Sequence, residues 1–208
     1  MKITCLRPVI LVLLIALAGC ETLAPRVEGE DREAFDARRS ELLGMPGWGL
    51  EGRVAIRAGD EGQSANLAWN QEGEFFDIRL HGPFGAGNTH IIGTADELLL
   101  ETSDGEQLHT RSPEADLYWR LGWTLPLDRM PYWILGLPGP GSLDRLEVDG
   151  AGRLQSLRQG SWQLDIPQYL ERDDGRIMPR KLTLERDDVR IRLVIDEWQL
   201  PPQAVDEE

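Results

Sequence analysis

Ser64-Ala65-Asn66-Leu67-Ala68-Trp69-Asn70 and, beyond the turn Glu72-Gly73, Glu74-Phe75-Phe76-Asp77-Ile78-Arg79-Leu80 decide the architecture. Ala65, Leu67 and Trp69 fall on one side of an extended chain, and Asn66 and Asn70 on the other. In the second stretch Phe76, Ile78 and Leu80 alternate with Asp77 and Arg79. Successive side chains of a strand point to opposite faces. This pattern therefore describes a sheet with one dry face and one wet face.

The same pattern continues outward. Upstream, Leu50 to Ala58 sets Val54 and Ile56 against Arg53 and Arg57, and Gly59-Asp60-Glu61-Gly62 makes the turn. Downstream, strands are expected over Thr89 to Gly93, Glu97 to Thr102 and, after Asp104-Gly105, Gln107 to Thr110. Later, Trp162, Leu164 and Ile166 alternate, then Leu182 and Leu184, then Ile191, Leu193 and Ile195. Asp149-Gly150, Asp173-Asp174 and Asp187-Asp188 read as turns. Three helices are expected. Asp31 to Leu43 carries Phe35, Arg38, Arg39 and Leu42 at helical spacing, stopped by Gly44 and Pro46. Ser112-Pro113-Glu114 starts a second helix, with Leu117 and Leu121 four residues apart. A third begins near Asp128, tolerates Pro131 in its first turn and is capped by Gly136. The class is mainly β with short α: one antiparallel sheet, curled, with helices on its dry face.

The amino terminus carries an address. Lys2 and Arg7 precede the apolar run Val9 to Ala16, and Leu17-Ala18-Gly19-Cys20 follows. This resembles a bacterial lipobox, which implies cleavage before Cys20 and acylation of that cysteine. The run is shorter than the roughly 20 residues a spanning helix needs. Residues 1–19 are read as a lipoprotein signal peptide, 20–30 as an acylated tether and 31–208 as a single domain. The net charge of −14 disfavours nucleic acid and anionic surfaces as partners. With Cys5 in the signal and Cys20 acylated, neither of the two cysteines remains for a disulfide, a thiolate nucleophile or a thiolate metal site.

Catalytic motifs are lacking. His81, His90 and His109 stand in no close metal spacing, and the chain has no Gly-x-Ser-x-Gly and no phosphate loop. Carboxylates are many, and whether any two are paired for acid–base work is a tertiary question. No enzyme activity, cofactor or metal is expected. Two apolar signals are left. Gly82-Pro83-Phe84-Gly85 reads as a turn with Phe84 at its tip, either exposed or folded back on the sheet. Trp48, Trp69, Trp119, Trp123, Trp133, Trp162 and Trp198 are mostly core, and some could instead line a cavity for a lipid tail.

Several stretches together resemble the LolB family of outer-membrane lipoprotein receptors. They are the lipobox, Leu50-Glu51-Gly52-Arg53-Val54-Ala55, Trp69 with Gln71, and Gly82-Pro83-Phe84-Gly85. The most specific is Tyr132-Trp133-Ile134-Leu135-Gly136-Leu137-Pro138-Gly139, with Gly152-Arg153-Leu154, Gly160-Ser161-Trp162, Pro179 and Trp198 following in order. The resemblance implies an incomplete antiparallel β-barrel whose helices lid an apolar cavity. It implies a monomer that receives acylated lipoprotein cargo from the periplasmic carrier LolA and inserts it into the outer membrane, contacting outer-membrane lipid. Pro83, Phe84 and Gly85 would form the membrane-inserting loop, with Phe84 where the family usually has Leu. Trp69, Ile78, Leu117, Leu121, Trp133, Leu137 and Trp162 are the residues expected to line the acyl-chain cavity. Glu21, not Asp, after the acylated cysteine fits an outer-membrane location. Two other readings stay open: a binder of another lipid or glycolipid, and a structural lipoprotein docked on an outer-membrane assembly machine.

Overall fold

The computed structural model describes residues 30–82, 87–121 and 124–202, leaving aside the side chains of Glu30, Arg120 and Leu121. Helix α1 (Glu30–Leu43) leads into a six-strand meander: β1 (Gly47–Ala58), β2 (Glu61–Glu72), β3 (Phe75–His81), β4 (Thr89–Gly93), β5 (Leu98–Thr102) and β6 (Gln107–Thr110). Helices α2 (Pro113–Leu121) and α3 (Met130–Ile134) follow. A second meander closes the chain: β7 (Arg145–Val148), β8 (Leu154–Gln159), β9 (Trp162–Glu171), β10 (Ile177–Arg186) and β11 (Val189–Gln199). The expected helices and strands are all present.

The two meanders make one 11-stranded sheet in the order β6-β5-β4-β3-β2-β1-β11-β10-β9-β8-β7. Every neighbouring pair is antiparallel, and the seam is the pairing of the first strand with the last. β6 and β7 are free edges, so the curled sheet is open, as expected of an incomplete barrel. The segment between those two edge strands carries α2 and α3. The topology thus places both short helices in the one connection that must travel from edge to edge.

β1 and β2 run longer than their sequence pattern. The expected ends were Leu50 and Asn70, whereas the ladder continues to Gly47 opposite Glu72. Each added rung satisfies backbone groups on both strands, which outweighs the poor strand preference of Gly47 and Gly49. Where β1 meets β11 the register slips between Glu51 and Gly52. A Cβ on Gly52 would lie 2.2 Å from the Val194 carbonyl oxygen, so only glycine fits that bulge.

The dry face is the core. Leu67, Trp69, Phe76, Ile78, Leu98 and Leu100 are buried in the first meander, and Leu154, Leu164, Leu182, Leu193 and Ile195 in the second. Across the seam Trp48 lies 5.8 Å from Trp69 and 5.7 Å from Trp198, ring centre to ring centre. Indole N–H groups buried in such a cluster need acceptors. Trp69 Nε1 donates to Gln71 Oε1 at 2.9 Å, and Trp198 Nε1 to the Pro179 carbonyl at 2.8 Å. Trp119 departs from the rule that most tryptophans are core: it is 83% exposed on α2, against the half-exposed Tyr118.

Candidate functional site

The site is built where the ends of four elements meet. The last turn of α1 brings Leu42 and Leu43, and the link to β1 brings Met45 and Pro46. Trp48 and Phe76 form the floor from β1 and β3, and Leu127, Tyr132 and Leu135 close the far side around α3. Between them lies a groove of about 540 Å³. Pockets of roughly 300–1,000 Å³ are typical for small-molecule ligands. Its lining is mainly apolar, with Gln71, Glu74, Thr94, Asp96 and Asp128 as the polar side chains. Gln71, buried, accepts from Trp69 and donates to the Gly73 carbonyl at 2.8 Å, so both ends of its amide are engaged. Glu74, Asp96 and Asp128 stand exposed along the lining.

α3 is locked in place by three devices. Gly136, at φ +78°, ends the helix: its N–H donates to the Trp133 carbonyl and the N–H of Leu137 to that of Tyr132. This paired arrangement is the Schellman cap, which favours glycine because its backbone is left-handed. Gln159, fully buried on β8, accepts from Trp133 Nε1 at 2.9 Å and from the Gly139 N–H at 3.0 Å. It also donates to the carbonyls of Gly139 and Pro140. Arg186 on β10 lies 5.1 Å over the Trp162 ring and donates to the Thr124 hydroxyl in the α2–α3 link. The lid is thus pinned to the second meander by polar contacts, while its face toward the groove is apolar.

The side chains expected to line the cavity sit deeper than the groove. Trp69 and Ile78 are register partners on β2 and β3, both buried. Trp69 packs behind the groove floor, 5.8 Å from Trp48 and 6.3 Å from Phe76. Trp133 and Trp162 meet at 6.3 Å under α3, and Leu137 and Leu117 are buried too. Leu121's side chain, Cys20 and the tip Pro83-Phe84-Gly85 lie outside the described residues, as do Gly122 and Trp123. Sequence reading missed Leu43, Met45, Leu127, Tyr132 and Leu135 as lining residues. Phe76 was visible as dry-face, but nothing local marks a residue at an element's end as facing a groove.

Among the described residues no three His, Cys, Asp or Glu side chains converge as a metal site. His90 Nε2 is paired with Asp77 at 2.9 Å and His109 Nε2 with Glu97 at 2.8 Å, and each carboxylate also meets an arginine, Arg79 and Arg111 respectively. No helix among the described residues is long and apolar enough to cross a membrane.

Two solved structures have this architecture. A LolA superfamily protein from Nitrosomonas europaea matches with a TM-score of 0.51 and 7% identity, over 85% of this chain and 96% of that one. A DUF1329 family protein from Desulfovibrio piger matches with a TM-score of 0.52 and 11% identity, over 86% and 96%. At such identities they speak for the fold. Sequence relatives are much nearer. The outer-membrane lipoprotein LolB of Stutzerimonas stutzeri is 39% identical over 190 residues, 90% of this chain and 92% of the relative. That of Pseudomonas fluorescens is 37% identical over 198 residues, 93% and 96%. The sequence profile described as outer membrane lipoprotein LolB matches residues 46–198, from just before β1 to β11. The chain therefore belongs to the outer-membrane lipoprotein LolB family.

Proposed function

We propose that this chain accepts acylated lipoproteins from the soluble periplasmic carrier LolA and releases them into the inner leaflet of the outer membrane. The groove of about 540 Å³, opening on an apolar interior in a chain of this family, carries the reading. Each methylene removed from water contributes about 0.8 kcal/mol. An apolar groove therefore binds an acyl chain without any charged contact, and one chain held this way stays exchangeable. Residues 1–19 act as the signal peptide, acylated Cys20 and the tether to residue 30 hold the protein at the membrane, and 31–208 fold as one monomeric domain. Phe84 contacts the bilayer. Burying such a side chain is worth about 1.5–3 kcal/mol, enough for a protein already tethered nearby. Entry deeper than the groove requires α3 to swing from Trp162, so Trp133, Leu137 and Trp162 come into contact with cargo only in an opened state.

A transfer assay tests this. Carrier loaded with acylated lipoprotein is mixed with outer-membrane vesicles and this protein in a soluble form, Cys20 replaced, which is expected to retain partial activity. Leu43→Glu places a carboxylate in the groove from an exposed position and is expected to weaken uptake about tenfold, or about 1.4 kcal/mol. Phe84→Glu is expected to leave uptake intact and block delivery. If cargo never leaves the carrier although the protein is folded, the transfer reading is wrong.

A further inference from the structure

The groove beside α3 carries charge of one sign. Three acidic side chains belong to its lining, and among the described residues no Lys, Arg or His does. They come from three separate connections: Glu74 from the β2–β3 turn, Asp96 from the β4–β5 turn and Asp128 from the link that leads into α3. All three are exposed, so none is buried at the floor with Trp48 and Phe76. Their places are fixed by the backbone. Glu74 follows Gly73, whose φ of +55° makes the tight turn after β2. Asp96 stands in a turn closed by the Thr94 hydroxyl, which accepts from the Asp96 N–H at 3.3 Å and the Glu97 N–H at 3.2 Å. Asp128 lies in a turn where the Arg129 and Met130 N–H groups donate to the Pro126 carbonyl.

The cations nearest the groove do not neutralise it. Arg176 reaches Met45 Sδ at 3.9 Å, yet its Nε donates to Asp174 at 3.0 Å. Arg129 Nε stays 3.7 Å from Asp128, too far for a hydrogen bond. Glu97, next to Asp96, makes the contrast. It is paired with His109 at 2.8 Å and Arg111 at 3.5 Å, whereas Glu74 and Asp96 meet no cation among the described residues. Like charges gathered around one apolar opening repel any anion that approaches it.

We propose that Glu74, Asp96 and Asp128 make the groove selective for acyl chains whose head group is uncharged, and turn away chains that end in phosphate or carboxylate. This rests on the reading of the groove as the acyl-chain site. Chains attached to a protein through ester or amide bonds bring no charge to the opening, whereas phospholipids bring a phosphate and free fatty acids a carboxylate. The lining offers no ammonium or guanidinium to compensate such an anion. A protein tethered at a membrane is surrounded by phospholipid, and apolar affinity alone would fill the groove with the wrong chain. Discrimination between ligands with the same tail needs a repulsive element aimed at the wrong head, and the three carboxylates supply it.

The test is titration calorimetry of residues 20–208 with Cys20 replaced, against two ligands that differ by one group. They are 1-lauroylglycerol and 1-lauroylglycerol 3-phosphate, both kept below their micelle-forming concentrations. At about 0.01 M salt, where charges act over about 30 Å, the protein is expected to bind the uncharged ligand about tenfold more tightly. At about 1 M salt, where that range falls to about 3 Å, the ratio should shrink to about twofold. The triple variant Glu74→Gln/Asp96→Asn/Asp128→Asn should bring the low-salt ratio to about twofold by strengthening phosphate binding. Its unchanged affinity for 1-lauroylglycerol would show that it is folded. Asp60→Asn/Glu61→Gln/Asp188→Asn removes the same charge from exposed positions at the other end of β1, and should keep most of the ratio. A ratio near one, a ratio indifferent to salt, or the same change in both triple variants overturns the selectivity while the groove reading stands. Failure of 1-lauroylglycerol to bind the folded protein overturns both.

Discussion

At the scale of single residues, buried polar atoms do the positioning. Gln159 is surrounded by hydrophobic side chains yet uses both ends of its amide, toward Trp133 and Gly139 on one side and Gly139 and Pro140 on the other. Truncating it leaves buried donors and acceptors unmatched, each costing about 1–3 kcal/mol. Gln159→Ala is therefore expected to lose about 3 kcal/mol or more, read as a lower urea midpoint with unchanged slope. A loss under about 1 kcal/mol would mean that water replaces the amide. Asp174 gives a pH-dependent counterpart. Its hydrogen bonds from Arg176, and a weaker one from Arg172, hold the carboxyl well below the usual carboxylate range. A depressed carboxyl stabilises the fold fully above its unfolded pKa of about 3.9, and this is lost as pH falls through the folded value. The stability gap between wild type and Asp174→Asn should thus be present at neutral pH and shrink below about pH 4. A gap that stays constant into strong acid would show that the pair is not the cause.

At the scale of elements, α1 shows how a weakly amphipathic helix is held by what presses on it. Only Phe35 and Leu42 are buried from its apolar positions. Arg38 and Arg39, at the same helical spacing in the sequence, part company: the Arg38 guanidinium lies 5.7 Å over the Tyr169 ring and Arg39 is exposed. Gly152 does the rest, at φ +70° and in contact with the helix backbone. Gly152→Ala meets both a left-handed backbone penalty of about 1 kcal/mol and a clash, so α1 must move away. The expected result is lower stability together with faster amide exchange confined to α1 and the β7–β8 turn. Unchanged exchange in α1 would contradict this account of its docking. The boundaries of α1, and of β4 and β6, were legible because capping residues, turns and alternation are local signals. The extension of β1 to Gly47 was not, because it depends on which strand lies opposite.

At the scale of the whole molecule, the defining event is the union of two meanders through β1 and β11. Arg53 and Asp196, 143 residues apart, pair across this seam at 3.2 Å. Closing so long a loop before its contacts form is slow, and sheets of this kind fold in about milliseconds to seconds. Refolding by dilution from urea should fall in that range, and a microsecond phase accounting for the full signal would refute a seam formed late. The same topology leaves both edges free and forces the chain between them to cross. Two short helices are enough to cover one end of the dry face, and the groove beside α3 is what they leave open.

The sequence by itself determined most of the strands and turns, the dry face and the family, though it did not mark β7 and β8. Alternation, glycine and proline turns and helix caps act within a few residues, and Tyr132 to Gly139 is distinctive as written. Only the tertiary structure decided which apolar residues border open space. Leu43, Met45, Leu127 and Leu135 look in sequence like Leu137 or Leu164, yet the first four line the groove and the last two are fully buried. It also decided that Arg38, beside Tyr169, would hold two buried guanidinium nitrogens without an acceptor. The physical reason is the same in both cases. A local pattern tells which face a side chain takes, while exposure, cavities and ion pairing depend on what another part of the chain, a hundred residues away, brings against that face.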